Sequence, residues 1–189
     1  MGTAPPSGGE AVSTVKRTRR GIVVRLSGEE ASLVKALMEQ LQELLGDPPD
    51  ATGDLAAIGI AENAVTPEDP VLARLFPDAY REDGAAAGEF RRYTEMGLRE
   101  GKREAADVVL DTLKGASDTG VETVLDQAQA QAWLKALNDV RLALGTRLDI
   151  GEDWYDEVGE LDPGDPRMPM YAAYDWLTMV QESLVRALW

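Results

Sequence analysis

The 189-residue sequence predicts a mainly α fold, a compact helical domain of four to six helices with a small N-terminal β-hairpin. Apolar residues recur at three- and four-residue spacings in several long segments, as they do on helices with one buried face. Those segments begin at capping residues and stop at glycine or proline. β-Branched residues cluster near the amino end, on both sides of one turn. A composition of 44% hydrophobic and 28% charged residues suits a folded chain with a single core.

Taken in order, residues 1–11 are small, polar and rich in proline and glycine, which predicts a disordered tail. Residues 12–189 then form a single helical domain. Val12, Val15, Ile22, Val23 and Val24 flank Arg19, Arg20 and Gly21, predicting two short strands around a turn. Ser27, with Glu30 three residues on, forms a capping box for a helix whose stripe is Leu33, Val34, Leu37, Met38, Leu41, Leu44 and Leu45. Gly46 and Pro48 end it, and 46–69 reads as a flexible internal loop with one apolar island at 55–61.

Asp69 and Pro70 supply the cap and first-turn proline of a short helix running through Phe76. A long helix over about 86–114 aligns Phe90, Tyr93, Gly97, Ala105, Val108, Val109 and Leu113 as its inner face. Asp126 caps the next helix, which carries Ala130, Trp133, Leu134, Leu137, Val140 and Leu144 and stops at Gly145. Residues 149–165 read as an acidic connector. A last helix over about 167–187 has Ala173, Leu177, Val180, Leu184 and Ala187 inside.

Cysteine and histidine are both absent, which removes thiolate chemistry, disulfides, the usual zinc ligands and every dyad or triad built on either residue. With 34 acidic residues, carboxylate pairing is inevitable and carries no catalytic information. The segment from Gly97 to Arg103 has three residues between its glycines where a phosphate loop has four, and Arg103 where that loop has Ser or Thr. Asp149, Asp153 and Glu160 have the spacing of a calcium loop, but Trp154 stands at its glycine position. The connector is therefore expected to be a solvated acidic face, with Trp154 and Tyr155 covering an adjacent core. A non-enzymatic chain is expected, with no catalytic residues, no metal and no cofactor.

No secretory signal or membrane-length apolar run is evident, so the cytoplasm is the expected location and no membrane the expectation. Net charge is −15, but it is polarised. Lys16, Arg17, Arg19, Arg20 and Arg25 against Glu10 give residues 1–25 a charge of +4, leaving −19 for the rest. These five cations are the candidate partner-binding residues. A protein partner is favoured over nucleic acid, which the opposing field repels. The alternative is that they guard a hairpin edge or pair with the chain's own acids. Polar residues inside apolar helices, Asn138, Asp139 and Arg141 between Leu137 and Leu142 and Asp175 between Tyr174 and Trp176, predict either an Asp–Arg pair at a helix crossing or a polar pocket.

Three fragments together, DPVLARLFPDAYR at 69–81, AWLKALNDVRLALGTRL at 132–148 and MYAAYDWLTMVQESLVRALW at 170–189, resemble an actinobacterial family of unknown function. The genes of that family commonly lie beside that of the ClpS protease adaptor, near a JAMM-type peptidase, a small sulfur carrier and a cysteine synthase. Some members are labelled transcriptional regulators. The resemblance spans about 22–189 outside the loop and assigns a role to no residue. It implies a cytoplasmic protein-interaction or regulatory factor, accessory to Clp-linked proteolysis, with a transcriptional regulator using the basic segment as the alternative.

Overall fold

The expected hairpin forms, and a third strand joins it. Strands β1 (Thr14–Thr18) and β2 (Gly21–Leu26) pair antiparallel across Arg19 and Arg20, with Val15 opposite Val24 and Arg17 opposite Ile22. Strand β3 (Val121–Leu125), which the sequence reading assigned to no element, pairs antiparallel with β2 and completes a sheet of order β1-β2-β3. The computed structural model describes residues 13–46, 66–80 and 82–189. Val12, the tail 1–11 and residues 47–65 of the loop 46–69, with its apolar island at 55–61, lie outside the described residues.

Six helices occur among the described residues: α1 (Gly28–Leu45), α2 (Pro70–Leu75), α3 (Gly84–Thr112), α4 (Gln127–Arg147), α5 (Trp154–Gly159) and α6 (Met168–Leu188). The starts of α1, α2 and α4 follow from their caps. Ser27 and Glu30 form the full capping box, the Asp69 carboxylate accepts the Val71 and Leu72 amides, and Asp126 forms a second box with Gln129. α5 corrects the connector reading, since 149–165 contains one short helix. α4 also runs past Gly145 to Arg147, because the chain reverses only where Asp149 adopts φ 53°.

α4 is the central helix. It packs against α3 and α6 on either side and also meets α1 and α2, while α6 runs against β1. The buried sheet face of Ile22, Val24, Leu26 and Leu125 closes one core with Val34, Met38 and Leu41 of α1, Trp133 and Leu137 of α4, and Leu177 and Leu184 of α6. The stripe on α3 needs correction in its first half. Ala105, Val109 and Leu113 are buried as predicted, but Phe90 is 46% and Tyr93 56% exposed. Arg91, 6% exposed, points inward instead.

Two glycines fix how β2 and β3 meet the helices. Gly120 has φ +109°, and a Cβ there would overlap the Leu26 carbonyl oxygen; Gly28 has no room for one beside Asp118. Gly120→Ala combines a left-handed backbone with a backbone clash and is expected to lower the unfolding free energy by about 2–3 kcal/mol. Urea denaturation checks it, and a loss within error of zero would mean that the β3 turn relaxes freely.

Candidate functional site

The five cations of the amino-terminal segment separate into two groups. Arg25, on the outer sheet face, forms an ion pair with Glu122, its register partner on β3. Arg17 lies on the core side of β1 and donates through Nη1 to the Leu188 carbonyl at 3.2 Å, at the C-terminus of α6 where a cation also meets the negative end of the helix. Lys16, Arg19 and Arg20 are exposed, and no carboxylate among the described residues pairs with them. The turn that presents them is held by Thr18, whose hydroxyl donates to the Gly21 carbonyl at 2.8 Å and accepts the Arg20 amide at 3.2 Å. Among the described residues β1 pairs with one strand, β2, so this charge sits on a sheet edge.

Beside the turn lies a cleft of ≈ 230 Å³ lined by Arg17, Thr18, Arg19, Gly21, Ile22, Leu125, Gln127 and Leu188. Its residues come from β1, β2, the end of β3, the start of α4 and the end of α6. Sequence reasoning found the two arginines and not Leu125, Gln127 and Leu188, which lie more than a hundred positions away along the chain.

The polar residues of the later helices have separate partners. Asp139 is buried and takes its cation from α3, with Lys102 Nζ 2.7 Å from its carboxylate. Burial raises the Asp139 carboxyl above the ordinary range, and Lys102 only partly offsets this. Arg141 stacks over the Tyr174 ring at 5.2 Å and donates to Gln181 at 2.6 Å on α6. Asp175 accepts the Tyr155 hydroxyl at 2.5 Å, and Asn138 faces solvent. The anticipated Asp–Arg pair is thus an Asp–Lys pair between α3 and α4, while Arg141 joins α4 to α6 and Asp175 joins α6 to α5. Tyr155 is 62% exposed, so the expectation that it covers core is corrected. Half-buried Trp154 stacks on Tyr171 with ring centres 6.1 Å apart.

A second polar network escaped the sequence reading because it fills positions that helical spacing assigned to solvent. Arg91 donates to the Phe76 carbonyl at 2.8 Å, Asp78 at 2.7 Å and Glu95 at 2.9 Å. Arg99 bonds Glu95 and the Leu45 carbonyl, and Arg103 the Gly46 carbonyl, so α3 supplies cations to the carbonyl ends of α1 and α2. Hydrogen bonding from Arg91 holds the Asp78 carboxyl below its usual range. Burial alone would raise Glu95, but Arg99 and Arg91 outweigh it and bring it lower. Of the five basic residues that α3 carries, Arg91, Arg92, Arg99, Lys102 and Arg103, four are thus engaged inside the fold: Arg91, Arg99, Lys102 and Arg103.

Among the described residues no group of three or more acidic side chains is placed to hold a metal ion, and no helix is long and apolar enough to cross a membrane. Residues 12–188 match the family model described as a domain of unknown function, DUF2017. The chain is 35% identical over 182 residues to the Mycobacterium tuberculosis (H37Rv) protein named oxidative stress regulator AosR, covering 86% of this chain and 80% of that one. The same identity and coverage relate it to the Mycobacterium bovis AosR. A Mycobacterium leprae protein provisionally given the AosR name is 38% identical over 176 residues, covering 84% of this chain and 78% of the relative. No solved structure matches the chain.

Proposed function

Because this chain belongs to the DUF2017 family, in which the mycobacterial relatives are named oxidative stress regulators, we propose that it is a cytoplasmic regulatory protein that acts by docking on another protein. The observation that carries the docking mode is the local reversal of charge. Lys16, Arg19 and Arg20 stand exposed at one sheet edge of a chain that is otherwise strongly acidic, while Arg91, Arg99, Lys102 and Arg103 of α3 are occupied internally. Such a patch orients and accelerates encounter with an acidic surface, so that it meets this edge rather than the acidic remainder of the chain.

The relatives' name also bears on chemistry. Oxidant sensing through a thiol needs cysteine, and this chain has none. Any regulatory role of this chain is therefore exerted through what it binds rather than through a cysteine switch of its own. A component of Clp-linked proteolysis is one protein partner to test, and promoter DNA is the competing target.

A photo-crosslinker at Val23, on the sheet face beside Lys16, is expected to capture a partner protein in the native host. Recovery should fall at least about tenfold when Lys16, Arg19 and Arg20 become Gln, with melting temperature unchanged. Equal recovery from the two proteins would sink the docking reading. The presence or absence of Clp components in the captured set decides that version. Tight, salt-sensitive binding to promoter DNA would move the assignment to the transcriptional reading.

A further inference from the structure

The cleft beside the hairpin turn has a composition that selects among acidic partners. Ile22, Leu125 and Leu188 give it apolar walls, whereas Arg17 and Arg19 supply two guanidinium groups. Arg17 is held in place by its bond to the Leu188 carbonyl, so one of the two cations is already positioned. Gln127, at the first position of α4, also lines it. The cap residue beside Gln127, Asp126, is turned to its own helix and accepts the Gln129 amide at 2.8 Å. Gly21, at φ +133°, lies so close to the Leu125 backbone that a Cβ there would overlap it, which keeps the turn against the end of β3.

We infer that this cleft receives one apolar side chain of an acidic peptide segment on the partner protein, with the flanking carboxylates held by Arg17 and Arg19. The inference rests on the docking reading above and adds to it the anchor and the chemistry of the partner. Three considerations favour a peptide over other anions. The cleft's volume of ≈ 230 Å³ accommodates a single side chain but not a headgroup with its chains. Phosphate recognition has no use for apolar walls, whereas a peptide gains both from burying its anchor and from the charge-assisted bonds at the rim. The net charge of −19 outside residues 1–25 opposes a long polyanion but not a short segment that reaches only the positive edge.

The test uses the full chain and fluorescein-labelled synthetic peptides. One is rich in Asp and Glu with a single central Leu, one is the same with Ser for Leu, and one is the Lys-rich counterpart. Fluorescence polarisation should show saturable, salt-weakened binding of the acidic Leu peptide only, with the Ser version about tenfold weaker. The double variant Arg17→Gln/Arg19→Gln should weaken binding by about tenfold as well. Gln127→Glu places a carboxylate at the cleft and also suits a helix N-terminus, so it should weaken binding about threefold without lowering the melting temperature. Equal binding of the Ser or Lys-rich peptide, or tighter binding of a short DNA duplex, would overturn the inference. If the acidic peptide responds to Lys16→Gln/Arg20→Gln but not to Arg17, Arg19 or Gln127 changes, the cleft assignment falls and the docking reading stands. If the acidic peptide does not bind and crosslinking at Val23 is also indifferent to the hairpin charges, both fall.

Discussion

Replacing Lys102 by methionine is expected to destabilise the chain by about 3–5 kcal/mol at neutral pH, because it strands a buried carboxylate. Asp139 is 4% exposed in the seam between α3 and α4, and the Lys102 ammonium 2.7 Å away is its only ion-pair partner among the described residues. The ammonium also sits 5.7 Å from the centre of the Phe76 ring, a second favourable contact that methionine replaces only in part. The pH dependence runs opposite to that of an ordinary paired aspartate. Burial raises the folded-state carboxyl above its unfolded value, so the folded chain holds a proton where the unfolded chain has lost it. The contribution of this group to stability therefore falls as pH rises through the window between those two values. Without Lys102 the carboxyl is raised further and the window widens. The deficit of Lys102→Met relative to the unmodified chain should shrink on moving from neutral pH into the upper carboxylate range. Urea titrations of both proteins across that range measure it, and Asp139→Leu added to Lys102→Met should recover most of the loss. A deficit that is constant with pH would mean that lost packing, not the stranded charge, is its cause.

The parts of the fold that were legible in the sequence are those whose cause is local. The Ser27 and Glu30 box, the Asp69–Pro70 start and the Asp126 cap each act within one turn, and each helix starts where they indicate. β3 was not legible for the converse reason. Val121–Leu125 is five residues between a turn and a helix cap, and what makes it a strand is pairing with β2, where Glu122 faces Arg25 ninety-seven positions earlier. The first half of α3 misled for a physical reason too. Phe90 and Tyr93 have core spacing, but the position turned inward is Arg91, because the carbonyl of Phe76 and the carboxylates of Asp78 and Glu95 need a donor there. At the candidate site the charge could be read from Lys16 to Arg25 alone. The apolar walls could not, since Leu125 and Leu188 reach the hairpin only through the sheet and the packing of α6.

The second large effect lies at the centre of the core. Trp133→Ala is expected to cost about 3–5 kcal/mol, from lost burial plus a cavity that the surrounding helices fill only in part. Trp133 is 0% exposed, and its indole nitrogen donates to the Thr112 hydroxyl at 3.0 Å, which in turn donates to the Val109 carbonyl at 2.7 Å. That short chain of bonds joins α4 to the end of α3, immediately before the turn that leads into β3. Trp133→Phe keeps most of the ring volume and removes the indole donor, so it should cost about 1–2 kcal/mol. Thermal and urea unfolding of the two variants separate cavity from hydrogen bond, and equal losses would assign the whole effect to the bond. The pair also distinguishes stability from docking. Trp133 is no part of the cleft, so Trp133→Phe at a temperature where it remains folded should bind the acidic Leu peptide as tightly as the unmodified chain. Arg17→Gln/Arg19→Gln should show the reverse pattern, retaining the melting temperature and losing the peptide, because Arg19 is exposed and Arg17 holds only one carbonyl at the end of α6. A parallel loss of binding in both would place the peptide's requirement in the integrity of the core rather than in the two guanidinium groups.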